Sequence, residues 1–174
     1  HTGQITAIPT SSLEGASSLS DGQVKIGDKV YDTIYNANNL LGYNVTYYLK
    51  DDNQNGEHII LILPTSGKNS EVSFSADLFN TITTKGSNFV VSYFKSETDS
   101  KTQTAEIVSD AKLIYNGKFV PMNKDFLDLT DKSGKMSMLD TNKDGKYDIV
   151  FVTNYYNILV NTVSNLGKIT DKNS

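Results

Sequence analysis

The chain has 174 residues, a formal net charge of −4, two histidines and no cysteine or tryptophan. The absence of cysteine excludes disulfides, thiolate metal sites and cysteine nucleophiles together, and no stretch approaches the ~20 apolar residues needed to span a bilayer as a helix. All 16 basic residues are lysines scattered among acidic ones; with no arginine and no basic patch, the chain lacks the usual tools for reading phosphate and guanine, and nucleic acid is excluded as an expected partner.

In chain order, runs rich in Val, Ile, Tyr and Phe recur between Gly, Asn, Asp and Ser, the pattern of short strands and turns. Strands are expected at 4–8, 23–31, 43–49, 58–63, 71–75, 89–94, 104–108, 112–120, 135–139, 147–153 and 156–163. Helical periodicity is confined to two single turns, 37–41 and 75–79, the second with Ser75 placed to cap it. Residues 9–21 read as a long loop and 96–102 as a polar hairpin tip. No charged stretch leads into an apolar one at the start, and His1-Thr2-Gly3 reads as either a remnant of an added tag or an internal excision point.

An internal repeat of about ninety residues organises these elements. Val24-Lys25-Ile26-Gly27-Asp28-Lys29-Val30-Tyr31 matches Leu113-Ile114-Tyr115-Asn116-Gly117-Lys118-Phe119-Val120 in its apolar-turn-apolar plan. Further on, Gly42 to Thr46, the acidic stretch starting at Asp51 and the run Ile59 to Ile62 match Gly134 to Met138, the stretch starting at Asp140 and the run Ile149 to Val152. Twice, then, a hairpin is followed by a connection and a second hairpin with an Asp/Asn/Gly turn. The expected fold is all-β, with two related small barrel-like or half-barrel units in tandem and few or no helices. The units divide at 1–68 and 69–174, the second carrying the acidic loop, or fuse into one domain.

The chemistry concentrates in Asp140-Thr141-Asn142-Lys143-Asp144-Gly145-Lys146-Tyr147-Asp148. Asp140, Asn142, Asp144 and Asp148 offer side-chain oxygens at alternating positions, Lys146 offers its carbonyl, and Gly145 stands where the backbone must turn sharply around an ion. That is the donor set of a calcium loop. Phe151 occupies the position where a helix-loop-helix site needs a bidentate Glu, so the expected setting is a loop between strands. A plain hairpin turn, which favours the same residue types, is the competing reading. The first copy keeps Asp51, Asn53 and Asn55 but has Ile59 in place of the last carboxylate.

Nothing else gathers into a catalytic pattern. His58 has no second histidine to pair with besides the terminal His1, and the adjacent Asp51 and Asp52 point to opposite faces of a strand. The serines have no nucleophile-elbow pattern. Tyr43, Tyr47, Tyr48, Tyr155 and Tyr156 form either a stacking platform for carbohydrate or peptide or, with more support, core packing with hydroxyls at the rim.

Three segments resemble sequences that recur in large clostridial cell-surface proteins carrying S-layer homology domains. They are Leu41-Gly42-Tyr43-Asn44-Val45-Thr46-Tyr47-Tyr48, Ser109-Asp110-Ala111-Lys112-Leu113-Ile114-Tyr115-Asn116-Gly117-Lys118, and Leu139 through Val152. The likeness extends from about Gly22 to Lys172. It implies an extracellular, surface-exposed region of a Gram-positive protein, with cell-wall or surface-layer neighbours as partners and no catalytic residues to carry over. The expected function is a non-catalytic structural or binding module stabilised by calcium; an adhesin or carbohydrate-binding module is the alternative, and a hydrolase domain a weaker one.

Overall fold

In the computed structural model, residues 1–52, 56–155, 159–164 and 169–171 are described. The chain is nearly all β, with a closed five-stranded barrel followed by a half-barrel sheet. Its first strands are β1 (Thr2–Ile8), the two-residue β2 (Ser11–Ser12), β3 (Gln23–Ile26), β4 (Lys29–Thr33), β5 (Asn44–Asp51) and β6 (Glu57–Pro64). Next come β7 (Ser70–Ser75), β8 (Phe79–Lys85), β9 (Asn88–Phe94), β10 (Thr102–Tyr115), β11 (Lys118–Val120), β12 (Ser133–Asp140) and β13 (Tyr147–Tyr155). A separate two-stranded antiparallel sheet pairs β14 (Val160–Val163) with β15 (Ile169–Asp171). Helix is limited among the described residues to α1 (Lys124–Leu127) and two 3-10 turns, Asn38–Leu40 and Ala76–Leu78.

The barrel runs β1–β3–β4–β6–β5 and returns to β1. Every junction is antiparallel except β4 with β6, which closes through only two in-register pairs, Asp32 with His58 and Thr33 with Ile59. Alternation along each strand sends Ile5, Val24, Val45 and Ile59 inward, and each is completely buried. Tyr31 and Tyr47 also point inward and share a hydrogen bond between hydroxyls at 3.3 Å, which satisfies both buried polar tips.

The second sheet has the order β7–β12–β13–β10–β9–β8, with β11 added to the end of β10. Its concave side packs Phe74, Ile82, Val91, Ile107, Leu113, Met136, Met138 and Val150 into a second core, closed by Leu127 and Leu129 from the α1 segment. Phe74 and Tyr93 stack there at 4.5 Å between centroids. The other side of the same central strands supplies Ile114, Leu139 and Ile149 to the barrel core. Strands β10, β12 and β13 are therefore apolar on both faces. This is why 148–152 reads Asp-Ile-Val-Phe-Val instead of alternating.

The repeat is visible as two pairs of hairpins: β3–β4 with β5–β6, and β10–β11 with β12–β13. In each copy a parallel pairing joins the two hairpins, but it uses different strands. The second strand of the first hairpin, β4, pairs with β6 in the barrel; the first strand, β10, pairs with β13 in the half-barrel. At the β10–β11 turn, Asn116 and Gly117 both have positive φ, 48° and 77°, the left-handed pair that a two-residue hairpin requires.

Several expectations need correction. The runs 23–31 and 112–120 each divide at a turn, and 104–108 joins 112–115 within the fourteen-residue β10. The gap between them corresponds to an excursion: Ile107 pairs with Tyr147 and Lys112 already with Ile149, so residues 108–111 face a single residue of β13. Strand β8 was not expected, because Phe-Asn-Thr-Ile-Thr-Thr-Lys buries only Ile82 and follows the helical turn directly. That turn is a 3-10 turn, and Ser75 makes no side-chain cap to it. The expected strand 156–163 is realised at Val160–Val163, while 156–158 lie outside the described residues.

Candidate functional site

The acidic turn joins β12 to β13. Asp140 is the last residue of β12 and Asp148 the second of β13. Because both strands are buried on both faces, Asp140 is carried inward and is only 5% exposed. A carboxylate taken from water this far needs donors, and the backbone of its own turn supplies them. Its Oδ1 accepts from the N–H of Lys143 at 2.6 Å and of Asn142 at 3.3 Å, and its Oδ2 from the N–H of Gly145 at 3.0 Å.

The remaining residues repeat this device on a smaller scale. Asn142 Oδ1 accepts from the N–H of Asp144 at 2.9 Å, and Asp144 Oδ1 from the N–H of Lys146 at 2.8 Å. Asp148 Oδ2 accepts from the backbone N–H and hydroxyl of Thr141 at 2.8 and 3.1 Å. The Asn142 amide donates toward Asp144 Oδ2 at 3.4 Å and Asp148 Oδ1 at 3.2 Å, drawing both carboxylates to one side of the turn. Lys143 and Gly145 take positive φ, 66° and 82°, which lets the turn wrap around the Asp140 carboxylate. All five expected donor residues are thus in one turn. Among the described residues, no three His, Asp or Glu side chains are arranged to hold a metal by themselves. An ion here depends on the Asn142 amide and the Lys146 carbonyl as well as on the acids.

Two contacts anchor the turn to its surroundings. Asn44, at the start of β5 in the barrel, donates its amide to Thr141 O at 3.0 Å, tying the turn to a strand 97 residues away. The Lys146 side chain reaches Glu106 on β10 at 3.5 Å, where Lys85 at 2.8 Å and the Asn88 amide at 2.7 Å also converge. These donors, Lys85 first, hold the Glu106 carboxyl at a pKa of about 2 against an ordinary 4.5. Hydrogen bonds from Thr130 likewise lower the Asp128 carboxyl. Both shifts arise because hydrogen bonds and neighbouring cations favour the charged form. Neither Asn44 nor Glu106 carries a local signal in the sequence, since each meets the turn only through the fold.

Thr141 and Asp148 also line a cleft of about 370 Å³ between the barrel and the β10 excursion, with Lys25, Asp28, Asp110 and Lys112 in its walls. The first-copy loop is only partly described: Asn53 and Asn55 lie outside the described residues, and Ile59 is fully buried in the barrel. His58 lies half-buried on β6, opposite Lys50 and beside Asp32. Of the tyrosines, Tyr47 is core and Tyr43 packs against that core with its hydroxyl donated to Glu71 at 2.6 Å. Burial and this hydrogen bond raise the Tyr43 pKa. Tyr48 and Tyr155 are exposed, on different units, and Tyr156 lies outside the described residues. No family model matches the chain, and neither a curated protein nor a solved structure matches it.

Proposed function

We propose that the chain is a non-catalytic structural or binding module of a secreted or cell-surface Gram-positive protein, and that calcium held in the 140–148 turn rivets its two units together. The observation that carries this reading is the position of the turn at the seam. Its flanking residues Leu139 and Ile149 belong to the barrel core, and Thr141 is bonded to Asn44 of the barrel. A cation bound there by Asp140, Asn142, Asp144, Asp148 and the Lys146 carbonyl, with water completing the shell, neutralises three carboxylates beside that seam. Binding only to the folded chain then adds to folding stability. Wall or surface-layer neighbours are the partners this reading assigns.

Calcium titration by calorimetry tests the site directly. The expected result is one ion per chain with a dissociation constant of about 10⁻⁴ to 10⁻³ M, the range of extracellular modules, lost in Asp144→Ala. Absence of saturable heat in the wild type contradicts the metal and leaves a hydrogen-bonded turn.

A further inference from the structure

The barrel carries a second feature that shares no residue with the acidic turn. Two cavities, about 220 and 390 Å³, adjoin along β4 and have Asp21, Gly22, Thr33 and Ile34 in common, so they form one groove. Ile34 stands where they meet and is 87% exposed, the highest value of any large apolar side chain among the described residues. Tyr35 beside it is 42% exposed. Single exposed apolar residues are ordinary; the setting of these two is what distinguishes them.

That setting is acidic. Asp21, Asp32 and Asp52 line the groove with His58, and among the described residues no lysine lines either cavity. The floor is preformed. Thr33 N–H donates to Gly22 O at 2.7 Å and Tyr35 N–H to Thr33 Oγ1 at 3.0 Å. The Gln23 amide donates to Asp32 Oδ1 at 3.1 Å, fixing that carboxylate on the groove wall. A partner must therefore offer apolar surface to Ile34 and positive charge to the walls. A nucleic acid is repelled by the carboxylates. A glycan finds one half-exposed ring, Tyr35, beside an aliphatic ridge, with no second Tyr, Phe or Trp among the described lining residues to sandwich a sugar.

We propose that this groove binds an extended peptide segment in which lysine or arginine alternates with aliphatic side chains. Ile34 and Tyr35 cover the apolar positions, and Asp21 and Asp32 face the cations. This goes beyond the calcium-riveted module and does not depend on it, because the groove can be tested in chelator.

The test is fluorescence anisotropy with a labelled octapeptide of alternating lysine and leucine, against the same peptide with glutamate for lysine. The wild type should bind the lysine peptide only. Ile34→Ser, at a site exposed enough to leave folding intact, should weaken it about tenfold by removing the buried aliphatic contact. Asp21→Asn with Asp32→Asn should weaken it about fivefold or more, as should raising salt to about 0.5 M. Glu97→Gln with Asp99→Asn, in the 96–101 turn that lines neither cavity, serves as the control for net charge and should leave binding unchanged. The proposal is overturned by any of three results: no binding in the wild type, equal binding of the glutamate peptide, or equal losses in the control and groove variants. Binding of chitohexaose that is abolished by Ile34→Ser would also overturn it by assigning the groove to a glycan.

Discussion

Gly42→Ala tests whether strands of the half-barrel sheet complete the barrel core. Gly42 is buried at the start of the β5–β6 unit, with φ +85°, and a Cβ built there would lie 2.7 Å from Ile149 Cδ1 and 3.4 Å from Leu139 Cδ1. Two costs arise. A left-handed conformation costs an L residue about 1–2 kcal/mol, and overpacking a filled core costs about 1–3 kcal/mol. The sum, about 2–5 kcal/mol, corresponds to a melting temperature lower by about 4–20 °C for a chain of this size. Only the second cost involves Ile149, whose Cδ1 is removed in Ile149→Val at a cost of its own of about 0.5–1.5 kcal/mol. Urea unfolding of the two single variants and the double variant should therefore show the double variant more stable than additivity predicts, by about 1 kcal/mol or more. Additivity within about 0.5 kcal/mol would refute the contact and with it the packing of half-barrel strands into the barrel core.

Further predictions concern single groups. Asp140→Ala should cost about 2–3 kcal/mol even in chelator, because the N–H groups of Asn142, Lys143 and Gly145 lose a charged acceptor; equal stability of variant and wild type in urea titrations would remove the turn from the fold's support. Gly134→Ala should be among the most damaging substitutions, since its Cβ falls on the Thr153 carbonyl across the β12–β13 pair, and recovery of folded protein with wild-type circular dichroism would contradict that geometry. Glu106, lowered from 4.5 to about 2 in the folded chain, contributes stability above the unfolded value that is lost as pH falls through the folded one. Glu106→Gln should therefore be destabilised relative to the wild type at neutral pH, with the difference shrinking across that interval; a difference independent of pH would show that Lys85 and Lys146 do not hold the charge.

Local order was the legible part of this fold. Both hairpin pairs announce themselves through turn residues, Gly27-Asp28 and Asn116-Gly117, between runs of apolar residues. The 140–148 turn was equally plain, because Asn, Asp and Gly at alternating positions are what a backbone needs when it bends around an oxygen-rich centre. What stayed hidden is non-local. The barrel closes through Asp32–His58 and Thr33–Ile59 and through the β1–β5 pairs, none of which leaves a periodicity in its own segment. The burial of β13 on both faces could be read only as an apolar run, without revealing that its two sides serve different cores. Strand β8 escaped because edge position lets a strand be mostly threonine and asparagine.

Asp140 shows how the structure refines the site. Its carboxylate already satisfies three backbone donors, so truncating it damages the turn with or without metal. Asp144, exposed and accepting a single backbone N–H beside the long contact from the Asn142 amide, is the residue whose loss separates metal binding from turn geometry.

The central claim is that calcium in this turn stabilises the seam, and thermal unfolding in excess calcium against excess chelator tests it most directly. Calcium at about a hundred times its dissociation constant adds about 2.7 kcal/mol, which raises the melting temperature by about 5–10 °C for a chain of this size. The account predicts that rise in the wild type and its disappearance in Asp144→Ala, with the two proteins similar in chelator. Coincident curves for the wild type in calcium and in chelator would contradict it.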